Sequence, residues 1–211
     1  MESPRSRPNV GGEATRAALV DAAERLFAER GIEGVSLREI GVAAGKRNTN
    51  VTQYHFGDRD SLIRAIVSTR AARLGRLRIE LLAESDGTPN GLARALVEPL
   101  AAELDGESHY LGFLFQLLVS RDGRLPLTPD LDPEATASFR EVVRRLRTEL
   151  PGIPTAVLRT RAELATGFTI VALAMRSKAE QRGEPGLLGR PEFTAEVVRA
   201  VGGILGTIAN S

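Results

Sequence analysis

Between Lys46 and Gly57 the chain reads KRNTNVTQYHFG, a polar and basic run that no acidic residue interrupts. Asn48, Asn50 and Gln53 carry amides that can pair with adenine through two hydrogen bonds. Lys46 and Arg47 can read guanine or hold phosphate, and the hydroxyls of Thr49 and Tyr54 can bond phosphate oxygens. A helix this polar on its outer face meets either a polar partner or plain water. The charge distribution sets this segment apart without deciding between the two. Net charge is +1 over the chain, yet residues 46–79 hold eight basic and two acidic side chains, whereas residues 80–135 hold three basic and eleven acidic. A local basic segment of this kind faces an anion, nucleic acid first, with a solvated helix face as the alternative.

Other chemistries are excluded by what is missing. There is no cysteine, so there is no disulfide framework, thiolate metal site or thiol nucleophile. The two histidines, His55 and His109, are too few for a histidine metal cluster. No G-x-S-x-G, H-E-x-x-H, P-loop or G-x-G-x-x-G occurs. The sequence therefore predicts no enzyme, no cofactor and no metal. No apolar run approaches the roughly 20 residues of a membrane span, and the N-terminus lacks the apolar core of a secretory signal. The expected location is the cytoplasm, with no membrane partner.

The elements that must position the polar run are helical, and the fold class is all-α with about nine helices. Residues 1–11, with Pro4, Pro8, Arg5 and Arg7, are expected to form a disordered arm. A first helix spans Glu13–Arg30, its apolar stripe made by Leu19, Ala23, Leu26 and Phe27 and its end marked by Gly31. Ser36-Leu37-Arg38-Glu39 is a capping box that opens a second short helix, closed at Gly45. A third helix runs from Asn48 to about Tyr54, anchored by Val51. Asp58 caps a long fourth helix to about Glu84, with Leu62, Ile63, Ile66 and Val67 on one face. Further helices are expected at Leu92–Leu104, His109–Ser120, Pro133–Glu149, Thr155–Gln181 and Glu192–Ala209, separated by Gly/Pro/Asp breakers. Pro99 should kink or shorten its helix, and Arg121–Asp132 reads as a loop.

Two short helices joined by a glycine turn, with longer helices on either side, have the anatomy of a helix-turn-helix. Here the sequence resembles the N-terminal domain of TetR-family transcriptional regulators, over Ala18–Ile66. The matching pieces are LVDAAERLFAERGIEGVSLREIGVAAG, NVTQYHF and GDRDSLI. The Gln53-Tyr54-His55-Phe56-Gly57 end is similar to a subset of the family, although Tyr54-His55-Phe56 departs from the commoner His-Tyr-Phe order. The segment Lys46–His55 is also about one residue longer than usual. The resemblance covers the first third of the chain.

The resemblance implies roles. Ser36 at the start of the second helix binds phosphate. Arg47, Asn48, Thr49, Asn50 and Gln53 face the groove, with base reading by Asn48, Asn50 and Gln53. Tyr54 and His55 touch the backbone, and Arg59 holds phosphate beside the fourth helix. It further implies three parts: an arm over residues 1–11, a DNA-binding domain over residues 12–60, and a ligand-binding and dimerisation body over residues 61–211. Function is then that of a sequence-specific regulator, a ligand-released repressor that binds a pseudo-palindromic double-stranded operator as a homodimer. A DNA-binding regulator without a small ligand, controlled by a protein partner through residues 80–135, is the alternative.

A ligand chamber would be lined by Leu96, Tyr110, Phe113, Leu114, Gln116, Leu117, Phe139, Val143, Phe168 and Met175, with His109 and Thr169 as further polar candidates. Ordinary core packing is the competing reading for each aromatic. No basic cluster stands in this set, so the expected ligand is small and mainly apolar. The last two helices carry broad apolar faces, and Gly202, Gly203 and Gly206 suggest close approach of a neighbouring backbone. They meet either a second subunit, as a four-helix bundle, or their own.

Overall fold

The computed structural model describes residues 10–48, 50–106, 108–120, 136–184 and 186–206. Among these are nine α-helices and no strand: α1 (Val10–Arg30), α2 (Leu37–Ala43), α3 (Val51–Phe56), α4 (Arg59–Glu84), α5 (Pro89–Ala101), α6 (Tyr110–Val119), α7 (Ala137–Glu149), α8 (Thr155–Gln181) and α9 (Arg190–Gly206). A 3-10 turn at Ala102–Asp105 extends α5. The arm at residues 1–9, the expected loop at residues 121–132 and the start of the Pro133 helix lie outside the described residues. Helix α1 begins at Val10, so the last two residues assigned to the arm are helical.

Local rules account for most boundaries. The Ser36 hydroxyl accepts the Glu39 N–H at 3.2 Å, and Glu39 accepts the Ser36 N–H at 2.9 Å, which completes the capping box of α2. Asp58 caps α4 by accepting the Ser61 N–H at 2.7 Å. Thr88 caps α5, and Pro89 takes the first turn, where its missing N–H costs nothing.

Pro99 lies inside α5, whose α-helical part stops short of the expected Leu104. The helix runs on to Ala101. A proline at this position cannot donate to the carbonyl of Ala95, four residues earlier. The Arg78 Nε from α4 makes that bond instead, at 3.0 Å. A side chain 17 residues earlier in the sequence thus replaces the missing backbone donor.

The core has two parts. One joins α1, α2, α3 and the first half of α4 to α6 and the end of α8, with Leu19, Phe27, Ile40, Leu62 and Ile66 packed among Leu111, Phe113 and Leu173. Phe27 and Phe113 stack at 6.3 Å. The other gathers the second half of α4 with α5, α7, α9 and the start of α8. Helix α4 belongs to both. The glycines of α9 serve the second part: Gly202 sits against Asn90 and Gly206 against Pro89, both on α5 of the same chain. The close approach that these two glycines permit is therefore made within the subunit, and Gly203 has open space in front of it.

An ion network crosses the junction of the two parts. Arg70 of α4 binds Glu24 of α1 at 3.1 Å and Glu103 of the 3-10 turn at 3.6 Å. Arg73 pairs with the same Glu103, and the Ser108 hydroxyl donates to it at 2.9 Å. Burial raises the Glu24 carboxyl above its ordinary value, against the pull of Arg70 and of the His109 N–H.

Candidate nucleic-acid interface and inner cavity

Helix α2 ends in a turn in which Gly45 adopts a φ of +70° and the Lys46 N–H returns to the Gly41 carbonyl at 3.0 Å. A glycine is needed there because side-chain-bearing residues rarely adopt that conformation. The chain does not enter α3 at Asn48, as the periodicity suggests, but at Val51. The Asn48 side-chain oxygen accepts the Asn50 N–H at 3.0 Å, so Asn48 shapes the turn as well as decorating it. Helix α3 then buries Thr52 and Phe56 and half-buries Val51, which fixes its rotation.

That rotation decides what faces outward. Arg47, Asn48, Asn50, Gln53 and Tyr54 are exposed, Tyr54 at 85%. Lys46 and His55 are half-buried, with the His55 ring edge-on to Tyr54 at 5.3 Å. Thr49 lies outside the described residues. The structure therefore brings the groove-facing candidates together on one surface.

Two expected phosphate contacts are also structural. Ser36 is committed to its capping box. Arg59 binds Glu33 at 2.8 Å and the Val35 carbonyl at 2.9 Å, clamping the start of α4 to the α1–α2 connection. The Glu39 carboxyl is held down to about 2, chiefly by the Ser36 backbone N–H, then by the Ser36 hydroxyl and Arg30.

Two residues of α1 join this surface that the sequence reading passed over. The Arg16 guanidinium lies over the Phe56 ring at 4.8 Å, and Thr15 accepts from the Lys46 Nζ at 3.4 Å. Both are contacts across more than 30 residues, for which no local pattern exists.

The chamber candidates separate into three groups. Leu96, Tyr110, Leu114 and Phe139 line a cavity of about 50 Å3 between α4, α5, α6, α7 and α8. Gln116 and Met175 line an open groove of about 490 Å3 between α1, α6 and α8, together with His109. The rest line neither space: Phe113 and Leu117 are core, Val143 packs on the second core, and Phe168 is 43% exposed. Thr169 is buried with its hydroxyl bonded to the Ala165 carbonyl of its own helix. Helical periodicity identifies an inward face but not which neighbour it meets.

The cavity also holds Arg78, one of the basic residues of the 46–79 segment. The signal was available: Arg78 continues the inward row of Val67 and Leu74 on α4.

A short capped helix, a glycine turn and an exposed polar helix, mounted on a helical body, define a helix-turn-helix protein. Residues 19–66 match the family of bacterial regulatory proteins named tetR. It is 32% identical over 83 residues to the HTH-type transcriptional regulator AcrR of Shigella flexneri, covering 39% of this chain and 38% of that protein. It is 30% identical over 127 residues to the HTH-type transcriptional repressor AcnR of Corynebacterium efficiens, covering 60% and 57%. The chain thus spans 38% and 57% of the length of these two curated relatives. The fold is shared more widely. A TetR family transcription regulator from Marinobacter aquaeolei VT8 superposes with a TM-score of 0.62 at 13% identity, over 91% of this chain and 95% of that one. FadR from Bacillus subtilis, in complex with stearoyl-CoA, superposes with a TM-score of 0.59 at 14% identity, over 91% and 98%. Among the described residues no helix is long and apolar enough to cross a membrane.

Proposed function

We propose that this chain is a sequence-specific DNA-binding transcriptional repressor that acts as a homodimer and releases a pseudo-palindromic operator when a small molecule enters its body. The observation that carries the first part is the outward face of α3 and its preceding turn, where Arg47, Asn48, Asn50, Gln53 and Tyr54 are exposed together with no acid among them. Gln53 and the two asparagines read base edges in the major groove, and Arg47, Tyr54 and Arg16 hold backbone phosphates. Arg59 and Ser36 contribute by fixing α2 and the start of α4.

Dimerisation is supported by α8. Val157, Leu164, Phe168 and Met175 are all large, apolar and at least 41% exposed. At 100° per residue their spacings of seven, four and seven place them within about 20° of one line along the helix. Such a row is what a second copy of α8 would cover.

Response to a ligand is supported by the position of α4. Its start packs Leu62 and Ile66 under α1–α3, and its middle lines the inner cavity with Val67, Leu74 and Arg78. A molecule that binds differently to two tilts of α4 shifts the spacing of the two recognition helices, and a dimer must meet both half-sites at once.

The test is selection from a randomised duplex DNA library with the full-length protein. The expected result is an enriched pseudo-palindrome whose half-site centres lie about 34–36 Å apart, or a multiple of one turn. Gln53→Ala should then lose about 1–3 kcal/mol at one base position per half-site. Enrichment of no sequence, or an even loss across all sequences with Gln53→Ala, refutes the reading for the chain or for that residue respectively.

A further inference from the structure

The wall of the inner cavity is apolar apart from Arg78, Tyr110 and Thr166. The Thr166 hydroxyl donates to the Ala162 carbonyl of its own helix at 2.8 Å. The other two are donors. Arg78 is only 8% exposed. Its Nε donates to the Ala95 carbonyl at 3.0 Å and its Nη1 to the Ser138 hydroxyl at 2.7 Å. Both acceptors are neutral, and among the described residues no carboxylate pairs with it. Tyr110 is 4% exposed and lines the same cavity.

The contrast with Arg70, two turns earlier on the same helix, is informative. Arg70 is more exposed, yet it holds two carboxylates, Glu24 and Glu103. A buried cation without a counter-ion is costly, and burial pulls Arg78 down to about 10, which still leaves it charged at neutral pH. Serving the Ala95 carbonyl explains one of its five N–H groups. That bond needs a donor, not a charge. The Tyr110 hydroxyl is likewise kept protonated, because burial raises it.

We propose that this cavity is a receptor site for a small monocarboxylate, whose oxygens accept from the Arg78 guanidinium and the Tyr110 hydroxyl while its carbon chain lies against Leu96, Leu114 and Phe139. The anion supplies the charge that Arg78 lacks, and the apolar wall selects an acid with a hydrocarbon tail over a free inorganic ion. The volume of about 50 Å3 is that of one or two waters, so the acid is short. This replaces a mainly apolar ligand with an acidic one. It rests on the regulator reading only for its consequence, that binding at Arg78 shifts α4.

Full-length protein is titrated with acetate, propionate and butyrate, each against its neutral amide, and with chloride at matched ionic strength. Binding is followed by calorimetry and thermal shift. At least one carboxylate should bind in the millimolar range or tighter and raise the melting temperature, while its amide and chloride should not. Tyr110→Phe should weaken that acid about tenfold. Arg78→Met, which keeps the side-chain volume, should weaken it about a hundredfold or more. The comparison of acid with amide uses wild-type protein, so it decides the matter even if Arg78→Met fails to fold. Equal binding of acid and amide, equal binding of chloride, undiminished binding to a folded Arg78→Met protein, or no binding by any of the three acids overturns the proposal. Operator affinity is measured separately. An acid that binds through Arg78 without changing DNA affinity upholds the site and refutes release by ligand.

Discussion

Shortening Leu164 to alanine should separate the subunits without unfolding them. Leu164 is 61% exposed on the α8 row, so the single chain keeps its core when the side chain is shortened. Burying a whole leucine side chain contributes about 2 kcal/mol. The exposed share of Leu164 therefore represents about 1 kcal/mol per subunit if a partner covers it. A two-fold dimer loses this twice, about 2 kcal/mol, which is about thirtyfold in the dimer Kd. Sedimentation equilibrium on the wild type and on Leu164→Ala measures that ratio directly, and far-ultraviolet circular dichroism checks that helix content is kept. Operator affinity should fall with the dimer population, because a lone subunit reaches only one half-site. A dimer Kd unchanged within about threefold, far less than the thirtyfold calculated, would remove the α8 row from the interface. A wild-type chain that stays monomeric at micromolar concentration would remove the dimer itself.

Three further outcomes test how the domain is held. Ser36→Ala removes the side-chain half of the capping box and should cost about 1 kcal/mol in urea denaturation; an unchanged midpoint would mean that α2 is held by packing alone. The Glu24 carboxyl is raised by burial, so the folded state binds its proton more tightly than the unfolded chain. The linked stability is present below the ordinary value of 4.5 and is lost as pH rises through the folded value. The stability of the wild type relative to Glu24→Gln should accordingly fall as pH rises from 4.5, and a difference that is flat or grows with pH refutes this. In α9, Gly202→Ala would set a Cβ 3.0 Å from the Asn90 Cγ and 3.3 Å from its Cα, and should cost about 1–3 kcal/mol. Gly203→Ala meets nothing within 4 Å and should gain about 1 kcal/mol; effects of the same sign at the two positions would show that α5 and α9 are not packed as described.

What the sequence determined by itself was local. The capping box at Ser36 and Glu39, the Asp58 cap, the glycines at 31 and 45 and the full span of α8 follow from bonds made within a few residues, and such bonds leave patterns in the chain. The outward polarity of the α3 region was legible for the same reason, because Thr52 and Phe56 can point inward only if Gln53 and Tyr54 point out. The tertiary structure decided which inward faces meet. Phe113 and Phe139 both look like chamber residues on a helical wheel, yet one stacks on Phe27 and the other borders the cavity. The glycines of α9 announced a close neighbour without saying that α5 fills that place. Arg78 read as one more basic residue until the docking of α4 on α5 set it beside the carbonyl that Pro99 leaves free. These outcomes depend on the angles and offsets at which helices pack, and many apolar faces fit one another nearly equally well. A period of 3.6 residues fixes the direction of a side chain, but only the assembled core fixes what stands in front of it.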